Sequence, residues 1–179
     1  EVKSFILYRA KHNMDRKVMT DFEQYINDKE ILDIISKVQS EFDNQRYPID
    51  SLYFKFESFT KANMTDDELL KALTRAASEL TSKETPDWEI IAARFLMYEI
   101  DLEIKRNEER YDIVDFKSKI DYLTNAGLYG AYIKENYSSE DFDELEAYLK
   151  KDRDDLFTYS GLDLVKKRYL IRTLSLIHI

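Results

Sequence analysis

The side chains best suited to chemistry in this sequence are two histidines, a close-set trio of carboxylates and one arginine beside an apolar stripe. A histidine can act as a general base near neutrality, but nucleophilic catalysis needs it beside an activated hydroxyl or thiol. His12 falls in an opening helix and His178 in the final hexamer, and no triad can be assembled around either. Glu99, Asp101 and Glu103 could gather a divalent cation if they converged. Steps of two residues point to different sides of a helix, however, so the trio reads as a solvated face. Arg94 could grip a phosphate, yet an arginine in an acidic helical chain more often runs its stem along the surface or pairs with a carboxylate, and its role is taken as structural. The absence of cysteine excludes disulfides, thiolate metal sites and cysteine radical chemistry from the chain unaided. Glu-x-x-His, Cys-x-x-Cys, Gly-x-Gly-x-x-Gly and the phosphate-loop glycine pattern are all missing. No catalytic, cofactor-binding or metal-binding residue is therefore assigned.

The elements that hold these side chains are helical. The 179 residues are 44% hydrophobic, with 13 Tyr, 10 Phe and one Trp, enough to bury a proper core in one or two small domains. Only three Gly and two Pro punctuate them and 35% are charged, which is the composition of amphipathic helices and not of a turn-rich sheet, so the expected fold is all-α. Formal charge is 27 minus 36, or -9, without a basic stripe, which argues against nucleic acid as a partner. No segment approaches the roughly 20 apolar residues of a membrane helix and no signal segment opens the chain, so no membrane partner is expected and the expected location is cytoplasmic.

Periodicity predicts helices over residues 2–16 and 28–42, the second with Ile31, Leu32, Ile35 and Val38 on one face. Tyr47-Pro48 breaks the pattern before Ile49, Leu52, Tyr53 and Phe56 resume it. Thr65-Asp66-Asp67-Glu68 is a capping box for a helix lined by Leu69, Leu73, Ala76, Ala77 and Leu80. Thr85-Pro86-Asp87 starts the longest helix, about residues 86–106, with Trp88, Ile91, Phe95, Tyr98 and Leu102 at heptad-like steps. The charged run 103–110 reads as a linker or helix end, after which Ile113, Phe116, Ile120 and Leu123 form a helix stopped by Gly127. Ser138-Ser139-Glu140-Asp141 caps another, presenting Phe142, Leu145 and Leu149. Residues 150–155 read as a solvated turn, and Arg168-Tyr169-Leu170-Ile171-Arg172 as a short C-terminal strand whose pairing partner is missing.

Three separate runs carry a resemblance. Leu80-Thr81-Ser82-Lys83-Glu84-Thr85-Pro86-Asp87-Trp88-Glu89-Ile90-Ile91-Ala92-Ala93-Arg94-Phe95-Leu96 resembles the helix junction of class I ribonucleotide reductase large chains, whose pattern is Glu-Ala-Pro or similar, Asp-Trp or Asp-Tyr, then Ala-Ala-Arg-Leu. Tyr122-Leu123-Thr124-Asn125-Ala126-Gly127-Leu128-Tyr129-Gly130 and Asp152-Arg153-Asp154-Asp155-Leu156-Phe157-Thr158-Tyr159-Ser160-Gly161-Leu162-Asp163-Leu164, followed by Lys167-Arg168-Tyr169-Leu170-Ile171, are similar to that family's N-terminal domain, in the same order. Together they span about residues 51–172. Val2-Lys3-Ser4-Phe5-Ile6-Leu7-Tyr8-Arg9 is similar to the last helix of an ATP-cone. Nothing matches the Val-x-Lys-Arg-type strand that supplies the cone's nucleotide contacts, so none is carried over, and Arg9 and Lys11 read as a surface helix end.

The resemblance implies residues 1–18 as the tail of a truncated ATP-cone, 19–50 as a connecting helical segment and 51–173 as the large chain's N-terminal helical domain. Residues 174–179 back-translate to CTGTCTCTTATACACATC, a sequencing-library transposon end, and are read as adaptor read-through. For the intact enzyme it implies reduction of ribonucleoside diphosphates for deoxyribonucleotide biosynthesis and DNA replication. ATP, dATP and other nucleotides would act as allosteric effectors, and a metal-containing small chain would supply the radical. The implied partners are the downstream cysteine-bearing barrel, the upstream cone, that small chain and a second large chain in a homodimer. The fragment itself would hold no cofactor and be inactive alone. The residues also fit a helical protein-interaction module, or a freestanding nucleotide-binding regulatory domain that would bind ATP or dATP.

Overall fold

The computed structural model describes residues 18–170, the side chain of residue 152 excepted. The helix expected over 2–16, Arg9, Lys11, His12, His178 and the final hexamer lie outside the described residues. Among those described, every regular element is helical and no strand occurs. They cluster into two compact units, one running to Leu96 and taking in Thr158–Ser160, the other formed by Met97–Phe157 and the residues from Gly161 onward.

In the first unit, α1 (Lys29–Glu41) begins where the Asp28 carboxylate accepts the Glu30 N–H at 2.8 Å, and it buries Ile31, Ile35 and Val38 at helical spacing. Pro48, in an extended conformation, sets the start of α2 (Ile49–Glu57), which buries Ile49, Leu52, Tyr53 and Phe56. The Thr65 capping box opens α3 (Asp66–Glu79): the Thr65 hydroxyl accepts the Glu68 N–H at 3.3 Å and the Glu68 carboxylate accepts the Thr65 N–H at 2.8 Å. Ala72, Ala76 and Ala77 are buried along α3, and it packs against α2, the close approach that small side chains permit. Phe22 joins this core with its ring 5.2 Å from Tyr53 and 5.5 Å from Phe56. Outside, Lys55 and Arg75 both reach Glu79, at 2.8 and 2.9 Å, and both cations lie over the Phe59 ring.

The long helix α4 (Trp88–Tyr111) starts at a clasp made by the loop after α1. The Tyr47 ring lies edge-on to Trp88 at 5.8 Å, its hydroxyl accepts the Asp87 N–H at 3.4 Å, and Arg46 donates to the Glu84 carbonyl at 2.9 Å. The Asp87-Trp88 pair of the resemblance is thus a packing device. Burial pushes the Tyr47 phenol above its ordinary value, and the Asp87 side chain adds to it.

In the second unit α4 continues through the charged run 103–110 and ends at Tyr111, so of the two readings, linker or helix end, the run is the helix end. Glu, Lys and Arg are good helix formers, so charge alone ends nothing. The stop is Asp112 at φ 55, with Ile113 N–H returning to the Glu108 carbonyl at 2.9 Å, a Schellman motif in which aspartate stands where glycine is usual. Asp112→Gly is therefore expected to stabilise the chain by about 0.5–1 kcal/mol, raising the urea midpoint. An unchanged or lower midpoint would show that Asp112 is held by more than its backbone.

Asp115 and Ser118 form a second box at the head of α5 (Phe116–Asn125), which ends with Gly127 at φ 71 and Leu128 N–H bonded to the Leu123 carbonyl at 2.9 Å. A short helix α6 (Tyr132–Asn136) precedes α7 (Ser139–Tyr148), capped by Ser138 and Asp141 as expected. Both pack against α5. The expected solvated turn is a 3₁₀ helix, Lys151–Leu156, and Tyr159–Arg168 is helical (α8). The C-terminal strand expected from Arg168 is not found in its described part. Arg168 closes α8, and the N–H groups of Tyr169 and Leu170 both bond back to the Val165 carbonyl, which is helix-end geometry. Residues 171–172 lie outside the described residues.

Candidate functional site

The carboxylate trio does not converge. Glu99 is bound to Lys166 at 2.6 Å, with the two side chains only 13% and 15% exposed, while Asp101 meets Lys151 at 3.2 Å. Glu103 is half-buried two residues further along α4. Among the described residues no group of three or more His, Asp or Glu is placed to hold a metal ion. Arg94 faces Glu41, Nε to Oε2 at 3.9 Å, a carboxylate partner. Glu89 accepts hydrogen bonds from the Ser160 backbone and hydroxyl, satisfying a first-turn donor of α8. The charged groups near the middle of α4 are thus engaged in pinning elements together.

The aromatic stripe of α4 is core: Trp88, Ile91 and Phe95 are buried, and Tyr98 and Leu102 half-buried. The second unit has instead a cleft of about 580 Å³ between α5, α6 and α7, a volume typical of ligand pockets. Phe116 and Ile120 come from α5, Tyr132 from α6, and Phe142, Leu145 and Tyr148 from α7. The spacing of Phe142, Leu145 and Leu149 suggested ordinary helical packing, but only Phe142 is buried; Leu145 is 48% and Leu149 62% exposed. Asp141 and Glu144 also border the cleft. The Ser138 N–H bonded to Asp141 holds that carboxyl below its usual range, so it stays charged at neutral pH. Sequence reading missed this cleft because its rings come from three elements, one of them the unanticipated five-residue helix α6.

The same capping bonds set the response to acid. The Thr65 N–H lowers the Glu68 value, and the Ser118 and Ser138 N–H groups do the same for Asp115 and Asp141. A depressed folded-state value stabilises the fold fully above the unfolded value, and the contribution is lost as pH falls through the folded one. The urea midpoint should be flat from neutrality to about pH 5 and fall below about pH 4, with Glu68→Gln removing part of the fall. A midpoint that rises on acidification would contradict the capping assignments.

Among the described residues, the candidate groups Glu99, Asp101 and Arg94 of an all-helical frame are each tied into an ion pair. No family model matches the chain. Over 173 residues, 97% of its length, it is 41% identical to the ribonucleoside-diphosphate reductase subunit alpha of Treponema pallidum. It is 35% identical over 121 residues to the protein of that name from phage T4 and 24% identical over 105 residues to ribonucleoside-diphosphate reductase 1 subunit alpha of Escherichia coli. The chain belongs to this family of reductase large chains. It spans about a fifth of the Treponema relative, 20%, and 16% and 13% of the other two.

Proposed function

We propose that this chain is the N-terminal helical part of a ribonucleoside-diphosphate reductase large chain and carries none of the reacting groups. The observation that supports this best is a 41% identity running through 97% of the chain while covering 20% of the relative. A cysteine-free segment whose Glu99, Asp101 and Arg94 are salt-bridged suits a supporting shell. Residues 51–173 would be the family's helical domain, 19–50 a connection and 1–18 the tail of an ATP-cone. The intact cytoplasmic enzyme would reduce ribonucleoside diphosphates with a radical from a metal-containing small chain, as a homodimer of large chains under ATP and dATP control. The helices would support the barrel and link it to the cone, so that effector binding biases assembly.

The test is twofold. Titration calorimetry of the 179-residue chain with ATP and dATP is expected to show no binding heat, whereas a freestanding nucleotide regulator would bind. In the intact large chain, supplied with its small chain, ribonucleoside diphosphate reduction is expected, and disruptive changes at Trp88 and Phe95 should weaken stability, assembly and effector response. An enzyme indifferent to those changes would undermine the supporting role.

A further inference from the structure

We propose that the cleft between α5, α6 and α7 seats a lysine- or arginine-bearing apolar segment from the rest of the large chain, an inference that rests on the function proposed above. Tyr132, Tyr137, Leu145 and Tyr148 line this cleft and are 62%, 55%, 48% and 69% exposed, a concentration of apolar surface in one place that usually marks an interface. Its chemistry is not neutral. Helix α7 carries Glu140, Asp141, Asp143, Glu144 and Glu146 and no lysine or arginine, and two of those carboxylates border the cleft. Lys134 and Lys117, on the flanking helices, are both bound to Asp121, at 2.7 and 2.8 Å, and not to Glu144 at the cleft, while Asp141 keeps its negative charge as it accepts the Ser138 N–H at the head of α7. Ring faces beside carboxylates suit a cation on an aliphatic stem, which can bury its methylenes against the rings and direct its charge to the rim.

Charge decides between occupants. A second copy would bring another chain of net charge -9 against an acidic helix, which opposes association. The first relative is about five times longer than this chain, since the chain spans 20% of it, so a segment drawn from the rest of such a large chain would meet the cleft at high effective concentration. A cleft of about 580 Å³ takes the anchor side chains of one amphipathic helix.

Photo-cross-linking tests this in the intact large chain, with benzoylphenylalanine replacing Leu145 and, separately, Tyr148. Both positions are exposed, so folding should be preserved in at least one. Mass spectrometry is expected to find intramolecular cross-links to a Lys- or Arg-containing apolar segment outside residues 1–179, and Glu144→Lys should cut their yield by about fivefold. Cross-links to a second copy or to the small chain, or none from either position, would overturn the inference. When the host large chain is first assayed and reduces ribonucleotides, such a failure leaves the proposed function standing. A host without reductase activity would overturn that function and this inference with it.

Discussion

Replacing Phe95 with alanine should remove about 3–5 kcal/mol from the stability of the chain, the largest single effect expected of any substitution considered. Phe95 is wholly buried on α4, with Ile91 and Ala92 just before it also sealed from solvent. Truncation to alanine gives up the transfer free energy of the ring and leaves a cavity that a close-packed interior fills only in part. The loss is large against the 5–15 kcal/mol typical of a whole domain, so equilibrium unfolding in urea should show a much lower midpoint or no cooperative transition. Leu145→Ala is the control: at 48% exposed it should change the midpoint little. Equal losses at both positions would mean that the packing has been wrongly assigned.

Glu99→Ala is expected to cost about 2–3 kcal/mol, well above the roughly 0.5 kcal/mol expected for Lys37→Ala at the exposed, 3.7 Å Lys37–Glu41 pair. The difference follows from burial. Glu99 and Lys166, 2.6 Å apart, are mostly shielded from water, so removing the carboxylate weakens the compensation of a cation that solvent cannot fully replace. Replacing the pair together, Glu99→Leu with Lys166→Met, should recover most of the loss, because it removes both desolvation costs. Millimolar magnesium, manganese or zinc should leave the melting temperature of the parent chain unchanged. A metal-dependent rise that Glu99→Ala abolishes would instead make Glu99 a ligand.

Much of the frame was legible because caps are local. The Thr65 to Glu68 box and the Ser138 to Asp141 box satisfy backbone donors within a few residues, so the sequence spacing carries the whole signal. The run 103–110 left linker and helix end open because the stop is signalled by backbone conformation, with Asp112 adopting a left-handed φ that glycine would have advertised. The strand alternation from Arg168 misled because alternation over three described residues is also compatible with a helix end, and α8 runs through Arg168. The partners of Glu99, Asp101 and Arg94 lie 67, 50 and 53 positions away by residue number, beyond anything periodicity can read. Spacing did show that the carboxylates would diverge, which is the part of the site governed by helix geometry. The tyrosine-rich cleft depends on how α5, α6 and α7 pack, and no single run of residues encodes it.

The most direct test of the supporting-shell assignment is the native coding sequence on either side of the segment matching residues 51–173. The expected result is an open reading frame that continues downstream into barrel strands bearing a radical-site cysteine and a redox-active cysteine pair. A stop codon shortly after Ile171, with no cysteine-bearing barrel behind it, would contradict the assignment.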